Sequence, residues 1–279
     1  MKLIHITDTH LAKPGRRLYG IDPSERLAAC IADIERHHGD ADLCVITGDL
    51  THWGELEAYR ELKARLAALT IPLQLLVGNH DEREAFLSVF PEVPVDPDGF
   101  VQSARDCEAG RLLFLDTIQP GTHSGWYCEA RQAWLAAQLE GSADKPVFLF
   151  QHHPPFNIGL PALDAIGIRQ KEAFKAIVAP HAGRIRHLFY GHVHRPVAGS
   201  WLGIPTTTLR GTNHQCWLDF EEQDLIPGSH EPPAYAVVLI DDERVVVHSH
   251  DYLDASPKFS LADPDWRDEQ GQESATAEA

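Results

Sequence analysis

The chain has 279 residues, 43% of them hydrophobic, and a formal charge of −17. That length suits one large domain or two small ones, and that apolar content suits a substantial core. The charge opposes affinity for long nucleic acid or an anionic membrane, and no run of about 18 apolar residues offers a transmembrane helix.

Residues 2–7 read as a strand, without the apolar stretch and cleavage site of a signal peptide. Leu27, Ile31 and Ile34 recur at helical spacing through 23–37, and 42–47 is a short apolar strand. Residues 56–69 are amphipathic, with Glu57, Glu61, Lys63 and Arg65 on the polar side. A strand over 72–77 and a short helix over 82–90 complete an alternation typical of a parallel α/β sheet, whose buried strands read as apolar runs.

The pattern then changes. Segments 100–107 and 111–116 flank Glu108-Ala109-Gly110, a hairpin signal. A helix over 129–139, a strand over 147–151, a helix over 171–178 and a strand over 185–190 follow. Beyond Arg195 the pattern is mostly β: 196–201, 206–209, and a hairpin of 235–240 with 244–250. Two sheets stacked face to face with helices outside are expected. Segment 213–233 lacks a period and reads as a long loop. From about Asp254 the chain is polar and acidic, which predicts a catalytic domain over 1–253 and a flexible tail over 254–279. The cysteines (Cys30, Cys44, Cys107, Cys128, Cys216) are odd in number and show no CxxC spacing, which suits a reduced, cytoplasmic protein.

Five clusters end predicted strands with metal-seeking side chains: Asp8-x-His10, Gly48-Asp49, Gly78-Asn79-His80-Asp81, His152-His153-Pro154 and Gly191-His192-Val193-His194. Residues i and i+2 of an extended strand share a face, so Asp8 and His10 are expected to reach one ion together, and His192 and His194 a common centre. Gly48 permits a close backbone approach that leaves the Asp49 carboxylate at the strand's mouth, where its two oxygens are able to bridge two cations. Mixed N/O ligation suits Fe, Mn, Zn or Co. Each cluster alone has a plainer reading, as a turn or a solvated histidine. Dismissing all of them requires five accidents in one order.

The ordered set resembles the calcineurin-like metallophosphoesterase superfamily, and within it the class III cyclic nucleotide phosphodiesterases and bacterial glycerophosphodiesterases. The likeness runs from residue 1 to about 250 and includes Leu18-Tyr19-Gly20, Gly125-Trp126, Gly211-Thr212 and His214-Gln215. It implies a four-layer αββα sandwich with two central mixed β-sheets, and two divalent or mixed-valence transition metal ions. By this resemblance Asp8, His10 and His194 hold the first ion, Asn79, His152 and His192 the second, and Asp49 bridges them. His152 is preferred over His153 because the family's ligand stands two places before a proline, here Pro154. The implied reaction is hydrolysis of a small phosphodiester, of glycerophosphodiester or cyclic nucleotide type, by attack of a metal-bound hydroxide on phosphorus. His80, a non-ligand, contacts the phosphate or protonates the leaving group.

In one departure, His52 stands three residues after the bridging Asp, where the family often has Asp or Asn. It is expected to alter the surroundings of the ligands or to put an extra imidazole near the substrate. His52, His214 and Arg16 are candidate substrate contacts, with Lys13, Arg16 and Arg17 placed to meet a distal anionic group; solvated loop charges are their plainer reading. Trp53, Trp201 and Trp217 offer faces for a base, or simply pack the structure. The nearest alternative function is a phosphomonoesterase with promiscuous diesterase activity. A non-catalytic scaffold is disfavoured because every ligand position is filled. Relatives of this kind often assemble, so a homo-oligomer also fits.

Overall fold

A computed structural model of the chain describes residues 1–142 and 144–264. In chain order the elements are β1 (Lys2–Ile6), α1 (Pro23–His38), β2 (Leu43–Thr47), α2 (Leu56–Leu66), β3 (Leu73–Leu76) and α3 (Arg83–Val89). Then come β4 (Ser103–Cys107), β5 (Gly110–Phe114), α4 (Glu129–Gly141), β6 (Val147–Gln151), α5 (Pro161–Asp164), α6 (Lys171–Val178) and β7 (Ile185–Tyr190). The chain finishes with β8 (Val197–Trp201), β9 (Ile204–Thr208), the two-residue strands β10 (Gln215–Cys216) and β11 (Gly228–Ser229), β12 (Tyr235–Ile240) and β13 (Val245–His250).

One sheet has the order β13-β12-β1-β2-β3 and the other β4-β5-β6-β7-β9-β8. In each, a parallel centre carries antiparallel strands: β1, β2 and β3 run together beside β12, and β5, β6 and β7 run together beside β4. The pleat sends alternate residues to opposite faces, and both faces are covered. Leu3 and Val45 meet Phe114, Phe148, Phe150 and Phe189 between the sheets. Ile4, Ile6 and Ile46 pack outward with Leu27 and Ile31 of α1 and Leu62 of α2. Leu149 and Leu188 pack outward with Leu135 of α4 and Phe174 of α6. Three cores separate four layers, α, β, β and α.

Two histidines occupy the inter-sheet layer. His5 meets Phe189 edge-on at 5.6 Å, and His187 stacks on the same ring at 4.2 Å. Each keeps one hydroxyl partner, Thr47 Oγ1 at 2.9 Å and Thr207 Oγ1 at 2.8 Å, while both Nδ1 atoms are buried without one. Burial presses His5 down to about 3 and His187 to about 4.

Segment 213–233, expected as a loop, closes into the β10–β11 ribbon. Strands of two residues carry no period for a sequence to display. The five cysteines are free thiols. No helix among the described residues is long and apolar enough to cross a membrane. Residues 253–264 are exposed and form neither helix nor strand, and the rest of the expected tail, 265–279, lies outside the described residues.

Candidate metal centre

The five clusters leave the ends of β1, β2, β3, β6 and β7 and meet across the two sheets. Glycines permit the approach. A Cβ on Gly48 would lie 2.7 Å from His152 Nδ1, and one on Gly78 would lie 2.2 Å from Asp49 Oδ1. One on Gly191 would lie 2.2 Å from Thr7 Oγ1.

The strands stop short of the polar residues, which corrects the expectation drawn from strand alternation. Asp8, His10, Asp49, His192 and His194 all have positive φ, from 45° to 70°. Non-glycine residues in this region cost roughly 1–3 kcal/mol each, so the surroundings must hold them there. Hydrogen bonds do so: the amides of Asp8 and His10 donate to the carbonyls of Gly48 and Asp49 at 3.1 and 2.8 Å. The amides of His192 and His80 donate to the carboxylates of Asp8 and Asp49 at 3.1 and 2.9 Å. His192 and His194, expected at a common centre, fall in different ligand sets of the one cluster.

Ligand atoms of Asp8, His10, Asp49 and His194 all lie within 4.8 Å of one another, as do those of His152, His153 and His192; His10 also comes within that range of His52 with His80, and of His194 with His214. Asp49 joins the first two sets: its Oδ2 lies 3.5 Å from His10 Nε2 and its Oδ1 lies 3.3 Å from His152 Nε2. Asn79 Oδ1 is 3.1 Å from the same His152 nitrogen.

Hydrogen bonding fixes which ring atoms are free. His152 Nδ1 lies 2.8 Å from the Thr47 carbonyl and His194 Nδ1 lies 2.7 Å from that of His214. A carbonyl only accepts, so each Nδ1 bears a proton and each Nε2 is left toward the cluster, an orientation typical of ligating imidazoles. His153 differs, because Thr117 Oγ1 and the His123 carbonyl engage both its nitrogens at 2.8 and 3.1 Å. His192 Nε2 is buried with no hydrogen-bond partner among the described residues. An orphaned imidazole nitrogen beside a shared carboxylate fits a transition metal better than it fits a packed core.

Charge follows the same division. Burial holds His10 and His192 well below the ordinary imidazole range, so both are neutral, as ligands must be. Burial likewise opposes charge on Asp49 and His152, but their mutual attraction outweighs it, holding Asp49 low and carrying His152 up to about 9; a cation bound there would take the place of that His152 proton. Asp8, with burial dominant, is pushed up.

Around these groups lies a supporting layer. The Asp81 carboxylate accepts from the amides of Leu50, Thr51 and Gly78 at 3.0, 3.0 and 2.8 Å and from the Tyr59 hydroxyl at 2.9 Å, tying the mouth of β2 to that of β3. Burial and the nearby Asp49 push it up to about 6. His52 Nδ1 lies 3.1 Å from His10 Nδ1, and its ring stacks on His80 at 4.7 Å. His80 Nδ1 donates to the His52 carbonyl at 2.9 Å. His123, which no motif singled out, stands 3.0 Å from the Asn79 amide nitrogen.

A cavity of about 690 Å³ opens over the centre, lined by His10, Asp49, His52, Asn79, His80, His192, His194 and His214 among others. Arg16 is not among its lining residues. The guanidinium lies 3.6 Å over the Trp53 ring and 3.9 Å from Glu55 Oε1, and Lys13 Nζ is 3.1 Å from that same oxygen. Local partners thus claim Lys13 and Arg16, two of the three charges expected to meet a distal anion; the third, Arg17, donates to the Gly20 carbonyl at 3.3 Å and is likewise not a lining residue. Trp201 stacks on Phe156 at 5.8 Å, and Trp217 is exposed.

The profile of the calcineurin-like phosphoesterase family matches residues 1–196. A protein of Rhodopseudomonas palustris named as a probable cyclic nucleotide phosphodiesterase is 46% identical, over 94% of this chain and 97% of its own. A glycerophosphodiester phosphodiesterase of Enterobacter lignolyticus is 34% identical over 77% of this chain and 78% of its own. Among solved structures, a dimetal phosphatase from Danio rerio superimposes with a TM-score of 0.66 at 17% identity, over 89% of this chain and 95% of that one, a likeness of fold.

Proposed function

This chain belongs to the calcineurin-like phosphoesterase family and is a hydrolase, and from that premise we propose that it hydrolyses small phosphodiesters at a dinuclear metal centre. The observation that carries the reading is Asp49, whose two oxygens face His10 on one side and His152 on the other. Asp8, His10 and His194 would hold one ion and Asn79, His152 and His192 the other, with the Asp49 carboxylate shared. Two bound transition metal ions (Fe, Mn, Zn or Co) supply positive charge for the phosphoryl oxygens and lower the pKa of a water.

The chain's own groups supply orientation and proton handling. Thr47 and His214 hold the rings of His152 and His194 through their carbonyls. His80, whose Nδ1 donates to the His52 carbonyl, has Nε2 left for the substrate; bearing a second proton there, as an imidazolium, it would donate to a phosphoryl oxygen or hand that proton to the departing alkoxide. The diester reading draws on the relatives named for cyclic nucleotides and for glycerophosphodiesters. The charge of −17 favours small substrates over long nucleic acid. We place the catalytic unit in 1–253, and the free thiols support a reducing, cytoplasmic setting.

Purified protein supplied with Mn²⁺ is expected to hydrolyse bis(p-nitrophenyl) phosphate with a higher kcat/KM than p-nitrophenyl phosphate, and chelation to abolish both activities. A monoester preference would favour the phosphomonoesterase alternative. Turnover that survives complete metal removal would overturn the metal-dependent reading.

A further inference from the structure

The cavity is chemically two-sided. One side is the histidine cluster at the strand mouths. The other carries Leu163 and Ile166, from α5 and the turn after it, and Cys216 and Ile226 from the β10–β11 ribbon. Tyr19 and His214, with ring centroids 4.6 Å apart, add aromatic faces to the lining.

Among the described residues, no lysine or arginine lines this cavity, and Asp49 is its only carboxylate. Nearby, Lys13 and Arg16 are matched by Glu55, and Arg195 by Glu231 at 3.1 Å and the Cys216 carbonyl at 2.7 Å, while Arg17 donates to the Gly20 carbonyl at 3.3 Å and is not a lining residue. A phosphoryl group held at the histidine side would therefore extend its second substituent toward mainly apolar side chains, since the polar lining groups of and beside the ribbon are already engaged: Gln215 by the Gly211 backbone, Ser229 by Glu231 Oε2 at 2.8 Å and His230 by the Tyr19 carbonyl at 3.0 Å. A second anionic group there loses water without gaining a partner, which is costly. A neutral substituent with apolar surface gains by burial. The volume, about 690 Å³, leaves room for a substituent the size of an aromatic ring beside the phosphate.

We propose that the cavity selects a singly charged phosphodiester whose second substituent is neutral and presents a planar apolar face, and that Leu163, Ile166 and Ile226 make this selection. The proposal rests on reading the histidine side as the hydrolytic centre. It separates aryl- or nucleoside-like esters, which the wall favours, from polyol esters and from diesters carrying a carboxylate or another phosphate. Ile226 is 43% exposed on a surface ribbon, so replacing it tests the wall without opening the core.

The test uses the Mn²⁺-loaded enzyme and p-nitrophenyl phosphates that share one leaving group and differ in the other ester: methyl, phenyl or 4-carboxyphenyl. The phenyl ester is expected to exceed each of the others in kcat/KM by roughly tenfold or more. Ile226→Arg should raise the 4-carboxyphenyl ester relative to the phenyl ester. A parallel calorimetric titration compares diphenylphosphinate with dimethylphosphinate, anions with no ester bond to cleave, and the diphenyl compound is expected to bind at least roughly tenfold more tightly. Equal kcat/KM for the three esters with equal phosphinate affinities would overturn the selection while leaving the hydrolytic reading intact. Preferential diphenylphosphinate binding without turnover of any ester would overturn the hydrolytic reading and leave the selection standing.

Discussion

The strand mouths and the outer wall of the cavity are built differently. At the mouths, side chains are held at both ends: Asp49 has positive φ, its carboxylate accepts the His80 amide, and glycines at 48 and 78 let the neighbouring chains close in. The wall comes from a four-residue helix and a ribbon of two-residue strands, with Ile226 part-exposed. Groups that touch reacting atoms need fixed geometry, which strand ends anchored in a core provide. Groups that recognise the rest of a substrate sit on loops, where they change at little cost to stability.

Asp49→Ala strikes at the fixed geometry of the strand mouths. Removing the shared carboxylate is expected to lower kcat by roughly 10³-fold or more with the fold retained, as read by circular dichroism and phosphodiester turnover. Wild-type turnover in that variant would end the bridging assignment. His52→Ala probes one layer further out, since His52 Nδ1 lies 3.1 Å from His10 Nδ1. Mn²⁺ affinity is expected to fall by about 10–100-fold, with partial recovery in His52→Asn, whose amide keeps hydrogen-bonding capacity. An unchanged Mn²⁺ Kd would remove His52 as a positioning residue.

The scaffold beneath both regions is expected to answer to pH rather than to metal or substrate. His187, held down to about 4 by burial, stays neutral in the folded state while the unfolded chain takes up a proton near the ordinary value of 6.5. Between those values the unfolded state binds more protons, so stability falls as the pH is lowered from 6.5 toward 4 and levels off below. His187→Gln should flatten that decline by up to about 1.4 kcal/mol per pH unit, measured as the difference in denaturant midpoints between the two metal-free proteins. Parallel slopes would show that His187 does not titrate as burial dictates.

The same contrast explains what was legible in the sequence. Strands such as 147–151 declare themselves because both faces are buried, and the metal-seeking clusters stand out because polar residues follow immediately on apolar runs. The conformations of those clusters were not legible. Left-handed turns at Asp8 and His194 depend on partners far along the chain, such as Gly48 and His214. Asp81 was visible within its cluster, yet its role as a clasp follows only from the convergence of Leu50, Thr51, Gly78 and Tyr59 upon it. His123 sits on a loop with no period or motif. Arg16 reads as a free charge until Trp53 and Glu55 are seen to hold it.

If one carboxylate joins two metal sites, the number of bound ions depends on Asp49. Equilibrium dialysis against Mn²⁺, followed by elemental analysis, is expected to give two ions per chain in the native protein and no more than one in Asp49→Ala. A single ion per native chain at saturating Mn²⁺ would contradict the dinuclear account.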